Sequence, residues 1–128
     1  MIKFNDLLAE NKLIEKEIKK AINNVVDSGW YILGNEVESF EEEFEDYCNT
    51  KYCVGVGNGL EALHLILRAY DIGEGYEVII PANTYIATAL AVSYTGAKPV
   101  LVEPDDRTYN INPDFIEDKI NNNTKAIL

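Results

Sequence analysis

From residue 52 onward the chain alternates short apolar runs with helix-length stretches, and no other feature narrows the possible folds so far. The runs 52–56, 77–80, 99–102 and 125–128 each hold four or five mostly apolar residues, as strands buried on both faces do. Between them lie 60–70, 85–95 and 113–120, each read as a helix. The order βαβαβαβ predicts an α/β, three-layer fold with a mainly parallel sheet and right-handed crossovers. Gly73 and Gly75 punctuate the first return, Gly96 stops the second helix, and Asn112-Pro113 opens the third with proline in its first turn. Without an internal repeat or a low-complexity linker, residues 1–128 are expected to form a single α/β unit.

Upstream, Ile14, Ile18, Ile22, Val25 and Val26 follow the three-and-four spacing of an amphipathic helix over 13–27, and Gly29 is its expected stop. Trp30, Tyr31, Ile32 and Leu33 then lie between two glycines. Such a run must be covered, either under its own domain or at a ligand site or subunit seam. Asn35 with Glu38 reads as a capping box opening a helix whose inward stripe is Val37, Phe40, Phe44 and Tyr47. The other face is almost all acid, from Glu36 to Asp46, and reads as solvated helix surface rather than as a catalytic carboxylate pair.

The first strand runs into Gly55-Val-Gly-Asn-Gly59, and a helix follows at once. A strand, a tight turn and a helix N-terminus place unpaired N–H groups where an anion can approach. No lysine follows the glycines, so this is not a P-loop; Leu60 stands three residues after Gly57, where a dinucleotide fingerprint needs its third glycine. Two readings remain. The N–H groups of Gly59, Leu60 and Glu61 form a cup for a single phosphate, or Asn58 and Glu61 form a capping box that uses up the same donors. The second strand tip, Pro81-Ala-Asn-Thr-Tyr85, is expected on the same sheet edge, where ligands of such folds bind. Tyr85 is then either a core ring or a stacking face for a flat heteroaromatic ligand.

A net charge of −11 argues against nucleic acid and anionic membrane as partners. No apolar run approaches the roughly 20 residues of a membrane span and no secretory leader is visible, so the cytoplasm is the expected compartment. Cys48 and Cys53 lack disulfide-framework or zinc spacing and are expected as buried free thiols. His64, the one histidine, is expected to pack in the core of its helix, and no metal site is predicted.

Four blocks resemble the amino-terminal part of the DegT/DnrJ/EryC1/StrS sugar aminotransferases: Gly34-Asn-Glu-Val-Glu-Ser-Phe-Glu41, Gly57-Asn-Gly-Leu-Glu-Ala-Leu63, Pro81-Ala-Asn-Thr-Tyr-Ile-Ala-Thr88 and Gly96-Ala-Lys-Pro-Val100. The resemblance implies the start of an aspartate-aminotransferase-type (fold type I) large domain, with pyridoxal 5'-phosphate as cofactor. It implies a nucleotide-linked keto-sugar as substrate, an amino-acid donor such as glutamate, and a homodimer or larger homo-oligomer. Ser28-Gly-Trp-Tyr-Ile-Leu-Gly34 is most similar to members acting on dTDP-linked 3-keto-6-deoxyhexoses, and places Trp30 and Tyr31 at the substrate or subunit seam. Gly59, Leu60 and Glu61 would hold the cofactor phosphate, and Tyr85 would stack on its ring. Leu60 departs from the hydroxyl residue many members carry there.

The resemblance implies no catalytic residue in this stretch, because the family's Schiff-base lysine and the acid that pairs with the pyridine nitrogen come later. None of the nine lysines here is expected at the carboxyl tip of a strand. The chain is therefore expected to be part of a longer enzyme, inactive alone, with Val100, Val102, Ile127 and the 30–33 run as apolar surface that drives association. The competing expectation is a non-catalytic α/β interaction module whose glycine turn is merely a helix cap.

Overall fold

The computed structural model describes residues 4–128. They gather into two compact units, one ending at Gly55 and the other spanning Val56–Leu128.

The first unit is helical: α1 (Leu7–Leu13), α2 (Glu15–Ser28) and α3 (Asn35–Cys48). The helix expected over 13–27 is thus α2, and a separate helix precedes it, capped by Asp6 Oδ1 accepting from Ala9 N–H. The break falls at Ile14, whose φ of −122° is not helical. Gly29 ends α2 with φ +65°, a left-handed turn that costs glycine nothing. At α3 the expected cap fails: Gly34 is the N-cap, and its carbonyl accepts from Val37 and Glu38, while Asn35 is already helical. None of the residues of these helices is fully buried. The α3 stripe is partly self-covering, with Phe40 and Phe44 stacked at 5.4 Å and Phe44 tilted against Tyr47 at 6.0 Å.

The acidic face of α3 is more than a solvated surface. Glu41, Glu45 and Cys48 follow each other along one side of the helix, and the chain beyond Asn49 runs back beside them. Glu45 Oε1 accepts from Cys53 N–H at 2.8 Å and Glu41 Oε1 from Gly55 N–H at 2.6 Å. These bonds take two donors of 52–56, expected as a strand but paired with no strand among the described residues. Carboxylates satisfy the donors a neighbouring strand would otherwise take. Cys48 is exposed rather than buried, and Cys53 is half-buried. Burial first, then the charges of Glu41 and Glu45, pushes the Cys53 thiol pKa up.

The second unit comprises α4 (Gly59–Ala69), β1 (Glu77–Pro81), α5 (Ile86–Tyr94), β2 (Lys98–Val102) and β3 (Thr124–Ile127). The sheet order is β2-β1-β3, all parallel, as the alternation predicts. Val78, Ile79 and Ile80 in the central strand are wholly buried. Val78 and Ile80 join Leu67 of α4, Val92 of α5, Ile72 and Ala97 in one core. Each large aliphatic side chain so buried contributes about 1.5–3 kcal/mol. Gly96, with φ +85°, turns α5 toward β2 close against the Glu74 backbone.

Two expectations need correction here. Residues 113–120 form no α-helix but two 3₁₀ turns, Pro113–Phe115 and Glu117–Lys119. Of its apolar residues only Ile116 is half-buried, while Phe115 and Ile120 are exposed, and burial is what sustains a short helix. Val102, expected on the surface, is buried; Val100 is half-buried and Ile127 exposed.

Glu77 ties the start of β1 to its surroundings, accepting from Lys98 Nζ at 2.8 Å and Asn121 Nδ2 at 2.7 Å. Those two hydrogen bonds hold its pKa below the usual carboxylate value. A depressed folded-state pKa gives stability that is fully present above the unfolded value and lost as pH falls through the folded one. Glu77→Gln is therefore expected to lower the unfolding midpoint at neutral pH and to matter progressively less below about pH 4. Thermal melts of both proteins across that range check this, and a gap that widens in acid would contradict it.

Candidate functional site

The glycine turn and the second strand tip each open a helix, and α4 and α5 pack on one another, with His64 edge-on to Tyr94 at 6.0 Å. His64 is half-buried in that helix contact.

At the start of α4, Asn58 is extended and its Oδ1 accepts from Glu61 N–H at 3.0 Å. The Glu61 carboxylate reaches back to Gly57 N–H at 2.9 Å. A Cβ on Gly57 would lie 2.8 Å from that carboxylate, so a larger residue there would push the Glu61 side chain off its bond to the turn. The cap thus forms, but it consumes one cup donor, that of Glu61. Among the described residues nothing accepts from the N–H groups of Gly59 or Leu60. A Cβ on Gly59 would meet nothing within 4 Å. Two unpaired N–H groups at the positive end of an 11-residue helix, with open space beside Gly59, suit one phosphate-sized anion.

At the second tip, β1 ends at Pro81 and three successive residues are tied down. Ala82 N–H donates to Val102 O at 2.8 Å, Asn83 Nδ2 to Tyr109 O at 2.9 Å, and the hydroxyls of Thr84 and Thr88 pair at 2.8 Å. Tyr85 follows as the N-cap of α5, 79% exposed. It is no core ring: its backbone is fixed and its face is open.

Trp30 and Tyr31 belong to the first unit and are both 67% exposed. The indole Nε1 donates to Ile32 O at 2.6 Å, which folds the loop onto itself. Beside them, Asn24, Ser28 and Glu36 help line a groove of about 340 Å³.

No described lysine stands at the carboxyl tip of a strand. Lys98 sits at the amino end of β2 beside Glu77, and Lys125 lies in β3 with its Nζ 4.9 Å from the Tyr76 ring centre. Lys3 lies outside the described residues. Among those residues no His, Cys, Asp or Glu cluster could hold a metal ion, and no helix is long and apolar enough to cross a membrane. Sequence reasoning missed Asn83, whose signal, a turn asparagine just before a helix start, is too common to single out.

Comparison with known proteins shows the family and the fold. The model of the DegT/DnrJ/EryC1/StrS aminotransferase family matches residues 12–128. The chain is 62% identical over its whole length to dTDP-3-amino-3,6-dideoxy-alpha-D-galactopyranose transaminase of Aneurinibacillus thermoaerophilus, covering 35% of that protein. Its structure matches the crystal structure of S. venezuelae DesV in complex with a ketimine intermediate, with a TM-score of 0.93 and 48% identity over 98% of this chain and 34% of that one. It also matches Bacillus subtilis NtdA with bound cofactor PMP, with a TM-score of 0.83 and 33% identity over 88% of this chain and 26% of that one. The chain thus spans about a third of the length of the curated relative it matches.

Proposed function

The chain belongs to the DegT/DnrJ/EryC1/StrS aminotransferase family, and we propose that it forms the amino-terminal part of a pyridoxal-phosphate-dependent nucleotide-sugar aminotransferase. In this reading residues 1–128 begin a larger α/β transferase domain that passes an amino group from glutamate to a dTDP-linked keto-deoxyhexose. The enzyme works in the cytoplasm as a homodimer or larger assembly. The observation that carries it is the pair of unpaired N–H groups on Gly59 and Leu60 at the start of α4, with open space beside Gly59 where a side chain would stand.

The residues present fit the cofactor. Gly59 and Leu60 would hold its phosphate through backbone N–H groups, with the positive end of α4 adding attraction. Leu60 brings no hydroxyl, and Glu61 N–H joins only if Asn58 releases it. Tyr85 would lay its ring on the cofactor ring and exclude water from that face. When bound, pyridoxal phosphate supplies the electron sink on which amino transfer depends. The exposed run from Trp30 to Leu33 supports a seam with substrate or a second subunit.

The test is spectral titration of the full-length protein with pyridoxal phosphate, followed by glutamate and a panel of keto-sugar nucleotides. Saturable cofactor binding and turnover of a dTDP-linked keto-deoxyhexose are expected. Tyr85→Ala should weaken cofactor binding by about 1 kcal/mol, roughly fivefold. A full-length protein that binds no pyridoxal phosphate sinks the reading.

A further inference from the structure

The ring-stacking role of Tyr85 requires that its backbone be held still, and one long-range side-chain bond does the holding. We propose that Asn83 is a positioning residue for Tyr85, acting by fastening the 82–85 turn to the loop 103–112 that follows β2. This rests on the cofactor reading above.

The donor and acceptor are unambiguous, because a backbone carbonyl can only accept. The Asn83 amide must therefore present its NH₂ to Tyr109 O, at 2.9 Å and across 26 positions of sequence. Tyr109 has φ +59°, a left-handed conformation that L residues seldom adopt. The loop enforces it. Asp105 Oδ1 accepts from Arg107 N–H at 3.1 Å and Thr108 N–H at 2.9 Å. Tyr109 N–H donates to Asp105 O at 2.9 Å, and Asp105 N–H to Asn110 O at 2.8 Å. Pro104 and Ile111 close the loop as an antiparallel bridge, and Asn112 N–H donates to Glu103 O.

The platform is therefore built without Asn83, which makes it a fixed anchor. Among the described hydrogen bonds, Asn83 to Tyr109 is the one that joins this loop to the turn. Ala82 behind it is held by the sheet and Thr84 ahead of it by Thr88. Cutting the middle tie leaves a turn pinned at its ends but free to rock where Tyr85 departs. A stacked ring loses contact quickly with tilt, and an unbound ring that wanders must be re-ordered on binding.

Two arms test this in the full-length protein. In the first, without cofactor, hydrogen exchange of the 83–88 amides should quicken in Asn83→Ala and in the isosteric Asn83→Asp, which cannot donate, but much less in Asn83→Gln, which can. In the second, Asn83→Ala and Asn83→Asp should raise the Kd for pyridoxal phosphate about threefold to fivefold, no more than loss of the ring itself, and Asn83→Gln should recover most of it. The decisive measurement is the same change in a Tyr85→Ala background. There, Asn83→Ala should alter the Kd less than about twofold, because the residue acts through the missing ring. Equal losses in both backgrounds, or unchanged exchange and Kd, overturn the proposal. A wild-type protein that binds no pyridoxal phosphate overturns the parent reading as well, whereas normal binding with no Asn83 effect overturns this inference alone.

Discussion

Gly59→Val in the full-length protein is expected to weaken pyridoxal phosphate binding by more than tenfold while leaving the fold intact. The separation of the two effects follows from the geometry. Gly59 is the first residue of α4, its φ is not in the left-handed region, and a Cβ built on it meets nothing within 4 Å. No clash and no backbone strain accompany the substitution, and in the first turn of a helix valine is not worse than glycine. What the isopropyl group does fill is the space through which a phosphate must reach the N–H groups of Gly59 and Leu60. A tenfold loss corresponds to about 1.4 kcal/mol, less than one charge-assisted hydrogen bond to a buried phosphate contributes. Cofactor titration beside a thermal melt measures both quantities. Unchanged affinity in a folded variant would mean that the turn is simply the cap that Asn58 and Glu61 make and that the cofactor phosphate is held elsewhere.

Ile80→Ala is expected to destabilise the protein by about 2–5 kcal/mol, the range for truncating a large aliphatic side chain in a well-packed interior. Ile80 is wholly buried in the central strand, in one cluster with Val78, Leu67 and Val92, so neighbours on both the sheet and the helix side lose contacts. It also precedes Pro81, where the chain leaves for the Tyr85 turn. Leu101 is its partner across the β1–β2 pair but is 55% exposed. Leu101→Ala should therefore cost far less, and urea unfolding of the two variants side by side is the check. Comparable losses would mean that the helix layer covers β2 as closely as β1.

Much of the second unit was legible in the sequence because its signals are local and agree with one another. β1, β2 and β3 fall within a residue of the apolar runs that announced them, and Gly29 and Gly96 turn the chain where left-handed φ requires glycine. The failures share a cause, which is that a pattern states what a segment tolerates and not what its neighbours supply. Residues 52–56 have the composition of a strand, yet Glu41 and Glu45 take two of their donors. Residues 113–120 have helix starters, but Phe115 and Ile120 find no cover, and the segment stops at single 3₁₀ turns. The cap and the phosphate cup looked like alternatives because both claim the same three N–H groups. In the structure Asn58 takes one and leaves two. Asn83 was invisible because its partner, the Tyr109 carbonyl, is defined by a loop 26 residues away.

The strand order β2-β1-β3 also bears on how this region is made. β1 leaves the ribosome before either strand that will flank it, so the buried run Val78, Ile79, Ile80 emerges with both of its ladders empty. At roughly 5–20 residues per second, the chain between Glu77 and its partner Lys98 takes on the order of a second or more to appear, and Thr124 follows later still. For that interval α4, already synthesised, is the apolar surface at hand for one face of β1. The acids Asp71, Glu74 and Glu77 just upstream charge the nascent segment and oppose its pairing with other chains. The parallel topology that carries the two helix-initiating turns thus makes the central strand wait for its partners during synthesis, and Asp71 and Glu74 before β1, with Glu77 at its start, guard it.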